Sequence, residues 1–112
     1  MGLTRSFRAT VVKQVQENPA FRVALMEEAT QNMVDGDLET AFGQIRDLVN
    51  ATIGFDTLSI KTGIPKTSLM RMLGSEGNPR SLNLAAIMKV LGCHIGVHLA
   101  VHAERVHEPE FA

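Results

Sequence analysis

The side chains best suited to chemistry lie close together between positions 61 and 80. Lys66, Thr67, Ser68, Met70 and Arg71 follow one another at the spacing of one helical face and its edge. Arg71 can donate two hydrogen bonds to a guanine edge. Thr67 and Ser68 can bond bases or phosphates, and Met70 can touch a thymine methyl. Lys66, at the start of the same stretch, suits a phosphate oxygen, as do Lys61 before it and Arg80 after it. This set is fitted to hold a polyanion and read it rather than to break a bond.

Such side chains must be presented by an element, and the spacing of Phe55–Gly74, FDTLSIKTGIPKTSLMRMLG, predicts a helix-turn-helix. Two short helices crossing steeply need a small residue where they touch, which Ser59 supplies. They need a glycine in the left-handed turn conformation four residues later, which Gly63 supplies. Leu58, Ile64, Leu69 and Met72 are spaced to hold the angle, while Thr62 stands where a fully apolar residue is more usual. Pro65 suits the start of the second helix. The outward face of that helix is then Lys66, Thr67, Met70 and Arg71, with Ser68 beside it. Any helical hairpin closed by a glycine turn shares part of this pattern.

Charge points the same way. The 112 residues carry 11 Lys+Arg and 12 Asp+Glu, a formal net charge of −1. Residues 21–60 hold Arg22 and Arg46 against Glu27, Glu28, Asp35, Asp37, Glu39, Asp47 and Asp56. Residues 61–90 hold Lys61, Lys66, Arg71, Arg80 and Lys89 against Glu76 alone. A protein that binds a polyanion needs one basic surface, not a basic total.

The rest of the chain reads as a succession of helices. Phe7, Val11, Val12 and Val15 share a face that Asn18-Pro19 ends. Asn18 then caps a second helix carrying Phe21, Leu25, Ala29 and Met33 as far as Gly36. Asp37 caps a third, with Leu38, Ala41, Phe42, Ile45, Leu48, Val49 and Ile53 at helical spacing. Gly74–Pro79 reads as a loop. Leu84, Ile87, Met88 and Leu91 mark a last helix ending at Gly92. From Cys93 to His102 apolar residues alternate with polar or small ones, which predicts a half-buried strand. The expectation is a single domain over 1–112, all-α with five to six helices and a short C-terminal strand. Within it lie N-terminal helices over 7–53, the helix-turn-helix over 55–74, the last helix over 83–91 and the strand over 93–102. The strand, through Ile95, Val97, Leu99 and Val101, is the candidate homodimer element, because an unpaired half-apolar edge promotes association.

The stretch Ile53-Gly-Phe-Asp-Thr-Leu-Ser-Ile-Lys-Thr-Gly63, the segment Lys66-Thr-Ser-Leu-Met-Arg-Met-Leu73 and the loop Gly77-Asn-Pro79 resemble small bacterial helix-turn-helix regulators, in particular HigA-type antitoxins. Asn18-Pro-Ala-Phe-Arg22, Asp35-Gly-Asp37 and Val49-Asn-Ala-Thr-Ile53 extend the likeness over roughly Phe7 to Leu99. The resemblance implies a lambda-repressor-like, all-helical DNA-binding domain, a dimer on a palindromic operator, and repression of its own operon. Many members pair with a toxin encoded beside them, and others are plain regulators. The histidine-rich tail is not a feature of the group.

Other chemistries find less support. His94, His98 and His102 would share one face of a helix at metal-ligand spacing, yet on a strand His94 and His98 stand ~13 Å apart at ~3.3 Å per residue, too far for one ion. Antiparallel strands in a dimer offer an intersubunit variant. No cofactor is called for, and no enzyme constellation is evident. Cys93 lacks an oriented histidine–acid pair and falls on the apolar side of the expected strand. Glu27, Glu28, Asp35, Asp37 and Glu39 fit solvated helix faces and helix starts, and Gly74, Gly77 and Gly92 read as caps and turns. The competing class is a protein-interaction module in which the acidic helices, with Phe21 and Phe42, dock a basic partner without DNA contact. A single cysteine, the lack of a long apolar run and the lack of a secretory leader predict a cytoplasmic protein without membrane contact. Gly2 and Ser6 match a myristoylation pattern that fixes only two positions after the start, as chance permits.

Overall fold

Local signals set most of the helix ends in the computed structural model, which describes residues 5–107; Gly2 of the myristoylation pattern lies outside them. Helix α1 spans Arg5–Glu17 and α2 spans Pro19–Val34. Between them the Asn18 side chain accepts a hydrogen bond from the Phe21 amide at 3.2 Å, with Pro19 at the first helical position. Helix α3, Leu38–Ala51, begins in the same way, its Thr40 amide donating to the Asp37 carboxylate at 3.3 Å. Two short helices follow, α4 over Phe55–Thr62 and α5 over Lys66–Met72, and α6 closes the fold over Ser81–Ile95.

Helices α1, α2 and α3 pack on one another, α3 meets α4, and α4 in turn carries α5 and α6. One contiguous apolar cluster draws on all six. Val15, Met26, Ile45, Leu48, Leu58, Leu69, Leu73, Ile87 and Leu91 are fully buried in it. Truncating one of the buried leucines to alanine costs ~2–5 kcal/mol in cores of this kind. Among the described residues the one buried charge is Asp47 on α3, whose carboxylate accepts from the Arg8 guanidinium of α1 at 2.7 Å.

The C-terminal segment differs from expectation. Helix α6 does not stop at Gly92 but runs to Ile95, and Gly96 ends it with φ +73°. Gly92 is a glycine for another reason: a Cβ there would lie 2.9 Å from the Val97 carbonyl oxygen. The chain folds back over the helix at that point, and the Val97 amide donates to the Gly92 carbonyl at 2.9 Å, the pattern of a Schellman end. Cys93, His94 and Ile95 are therefore helical. Residues 97–106 have no regular secondary structure, and no strand occurs among the described residues. Alternation persists in the tail because Val97 and Leu99 lean on this chain's own core while His98 and Ala100 face solvent. No helix among the described residues is long and apolar enough to cross a membrane.

Candidate nucleic-acid interface

The turn between α4 and α5 is built from side chains that bond its backbone. Gly63 takes φ +76°, ψ 9°, a left-handed conformation that costs glycine nothing. The Ser59 hydroxyl donates to the Ile64 carbonyl at 2.6 Å, spanning the turn. Thr62, the least typical residue of the pattern, donates to the Leu58 carbonyl at 2.8 Å and accepts from the Ile64 amide at 3.3 Å. Its hydroxyl thus serves a turn that an apolar residue would leave one bond poorer. Leu58 and Leu69 meet the core from the two helices, with Ile64 and Met72 packed partly against it.

With one side of α5 anchored by Leu69, Lys66, Thr67, Met70 and Arg71 face solvent and Ser68 is half-buried beside them. Lys61 on α4 and Arg80 ahead of α6 are exposed as well. Lys66 forms an ion pair with Asp56 at 3.0 Å, both side chains being largely exposed. Pairs of that sort contribute only ~0–1 kcal/mol, so an incoming phosphate can replace the carboxylate at little cost.

The far end of α5 is fixed by contacts that no periodicity displays. Arg46 of α3 donates to the Leu73 carbonyl at 2.5 Å, satisfying an acceptor that the end of a helix leaves free. The loop after α5 turns sharply back on it, with the Gly77 amide bonded to the Gly74 carbonyl at 3.0 Å. A Cβ on Gly77 would fall 1.9 Å from the Met72 carbonyl oxygen, so only glycine fits there. In the sequence Arg46 stands out only as one of two bases, with Arg22, in an acidic stretch, 27 residues from the group it holds.

The remaining candidates are dispersed. Cys93 is exposed on α6 rather than turned inward on a strand. His94 lies in the last turn of α6, with His98 and His102 in the irregular tail, and no group of three metal-ligating side chains occurs among the described residues. Phe42 is 3% exposed and belongs to the core, so it offers no docking surface; Phe21 is half-buried. Of the proposed dimer residues, Ile95, Val97 and Leu99 pack partly against this chain's core, and only Val101 stands free, at 97% exposure. No family model, curated protein or solved structure matches the chain.

Proposed function

We propose that this chain is a sequence-specific, double-stranded-DNA-binding transcriptional regulator that represses its own operon. In this reading α4, the Gly63 turn and α5 form a helix-turn-helix. Helix α5 enters the major groove, where Arg71, Thr67 and Met70 meet base edges. Lys61, Lys66, Ser68 and Arg80 hold the flanking phosphates. The observation that carries the proposal is the polarity of α5: Leu69 is fully buried while Lys66, Thr67, Met70 and Arg71 are all exposed. The basic character of residues 61–90 and the resemblance to HigA-type antitoxins support it. A homodimer on a palindromic operator follows from the same reading, because two copies related by a two-fold axis place two recognition helices about one helical turn apart. Repression then requires occupancy of the promoter and no chemistry, and a toxin is the natural second partner if the chain is an antitoxin.

The test is fluorescence-anisotropy titration of the chain's own upstream promoter duplex against a scrambled duplex over a series of salt concentrations. Tight, sequence-dependent binding with log K falling at ~0.9 per phosphate contact in log salt is the expected result. Weak and equal binding to both duplexes would reduce α5 to scaffold. The second reading is then a protein-interaction module, favoured by a partly apolar groove among α1, α2 and α3 that the exposed Glu28 and Glu39 border.

A further inference from the structure

The groove bounded by α1, α2 and α3 has a volume of about 620 Å³, within the ~300–1,000 Å³ of ordinary ligand sites. Val11, Phe21 and Leu25 give it an apolar floor. Its charged lining is Arg8, Glu28, Glu39, Arg46 and Asp47; Arg8 is paired with Asp47 and Arg46 is bonded to the Leu73 carbonyl, while Glu28 and Glu39 are exposed and have no ion-pair partner among the described residues. Gly43 also borders it, in the interior of α3.

Gly43 is not explained by the fold itself. Its φ is not positive, so the backbone does not require glycine. Beyond the helix's own backbone, the one atom within 4 Å of a Cβ placed there is an Arg46 guanidinium nitrogen at 3.6 Å, an ordinary van der Waals contact that a methyl group tolerates. Glycine in a helix interior carries a conformational cost that alanine would avoid. A bare backbone position facing an open groove is what the close approach of another chain requires.

We propose that this groove receives a cationic amphipathic helix from a partner protein. Its apolar face lies on Val11, Phe21 and Leu25, its closest approach is over Gly43, and its lysines or arginines meet Glu28 and Glu39. A helix is the favoured occupant because the described residues offer no strand edge for an extended peptide to pair with, whereas grooves between helices take amphipathic helices. With Arg8 and Asp47 paired to each other, Glu28 and Glu39 outweigh Arg46 in the lining and favour a basic segment over a nucleic-acid backbone. The inference gives the protein-partner reading a location and does not depend on DNA binding.

The test titrates the full chain with a labelled helical peptide of leucines on one face and lysines on its flanks, and with a counterpart carrying glutamates in place of the lysines. Wild type should bind the lysine peptide and bind the glutamate peptide roughly tenfold or more weakly. Glu28→Gln with Glu39→Gln should weaken the lysine peptide by roughly tenfold, while Glu17→Gln with Glu27→Gln, equal in charge but off the groove, should bind as wild type. Gly43→Leu should abolish binding at unchanged helicity by circular dichroism. Gly43→Ala, which adds one methyl, should weaken it to a lesser degree and keeps the test open if leucine disturbs α3. Promoter-duplex affinity, measured in parallel, should be the same in the glutamine variants and in Gly43→Ala, so the two readings can fail separately; Gly43→Leu is left out of that comparison because its longer side chain reaches the Arg46 guanidinium that holds α5. Failure of the lysine peptide to bind wild type, or wild-type binding by both Gly43 variants, would overturn the proposal.

Discussion

Arg46 on α3 donates to the Leu73 carbonyl at 2.5 Å, tying the end of the proposed recognition helix to the three-helix half of the molecule. A helix as short as α5, seven residues, has little intrinsic stability and depends on such tertiary anchors. Replacing Arg46 with methionine keeps the aliphatic stem and removes the donor. The expected loss is about 1–3 kcal/mol of unfolding free energy, since a charge-assisted bond disappears and a carbonyl is left without its partner. Promoter affinity should fall with it, because α5 is no longer held in register. Denaturant unfolding and anisotropy on the same variant check both, and an unchanged midpoint would show that Arg46 does not anchor α5.

Arg71→Ala separates recognition from folding. The side chain is exposed and no hydrogen bond or ion pair holds it among the described residues, so its loss should leave the melting temperature within error. If Arg71 reads a base edge, operator affinity should drop by about 1–3 kcal/mol, and discrimination should relax at one base pair of each half-site. Lys61→Ala should instead weaken all duplexes alike and lower the salt slope by ~1. An Arg71→Ala protein that binds the operator as wild type does would remove α5 as the reading element.

The tail yields a prediction in which two valines behave differently. Val97 leans on the core and its amide closes the end of α6, whereas Val101 is 97% exposed. Val97→Asp should cost about 1–3 kcal/mol by placing a charge against apolar surface. Val101→Asp should leave thermal stability unchanged, and under the homodimer proposal it should shift sedimentation toward monomer. Dimerisation that survives Val101→Asp would place the interface elsewhere on the surface.

Local chemistry was legible in the sequence and tertiary chemistry was not. Asn18 and Asp37 revealed their helix starts because a cap acts within three residues, and Gly63 revealed its turn because a left-handed residue is a local requirement. The exposed set on α5 followed from the helical period once Leu69 was assigned to the core. Gly92 was misread as a terminator because its reason is the Val97 carbonyl folding back upon it. The alternation of Ile95, Val97 and Leu99 was real but ambiguous. The last residue of α6 followed by an irregular segment lying along its own core produces the same in-and-out pattern as a strand, without a ladder. Arg46 and Gly43 gave no signal, since one acts across 27 residues and the other matters through the space above it.

Asp47 gives the fold a specific dependence on pH. Burial pushes its carboxyl above the usual 3.8, while the Arg8 and Arg46 guanidiniums pull the other way and do not fully offset it. A carboxyl raised in the folded state binds its proton more tightly there than in the unfolded chain. Its contribution is therefore fully present below 3.8 and is lost as pH rises through the raised folded value. Asp47→Asn keeps the shape and an acceptor for Arg8 but cannot ionise. Wild type should thus lose stability relative to Asp47→Asn as pH rises from below 3.8, and the gap should level off once the folded-state carboxylate is fully ionised. Thermal melts of both proteins over a series from acid to neutral pH measure that difference directly. Parallel curves would mean that Asp47 titrates alike in both states. A gap of opposite sign would mean that the 2.7 Å bond to Arg8 outweighs the cost of burying the charge.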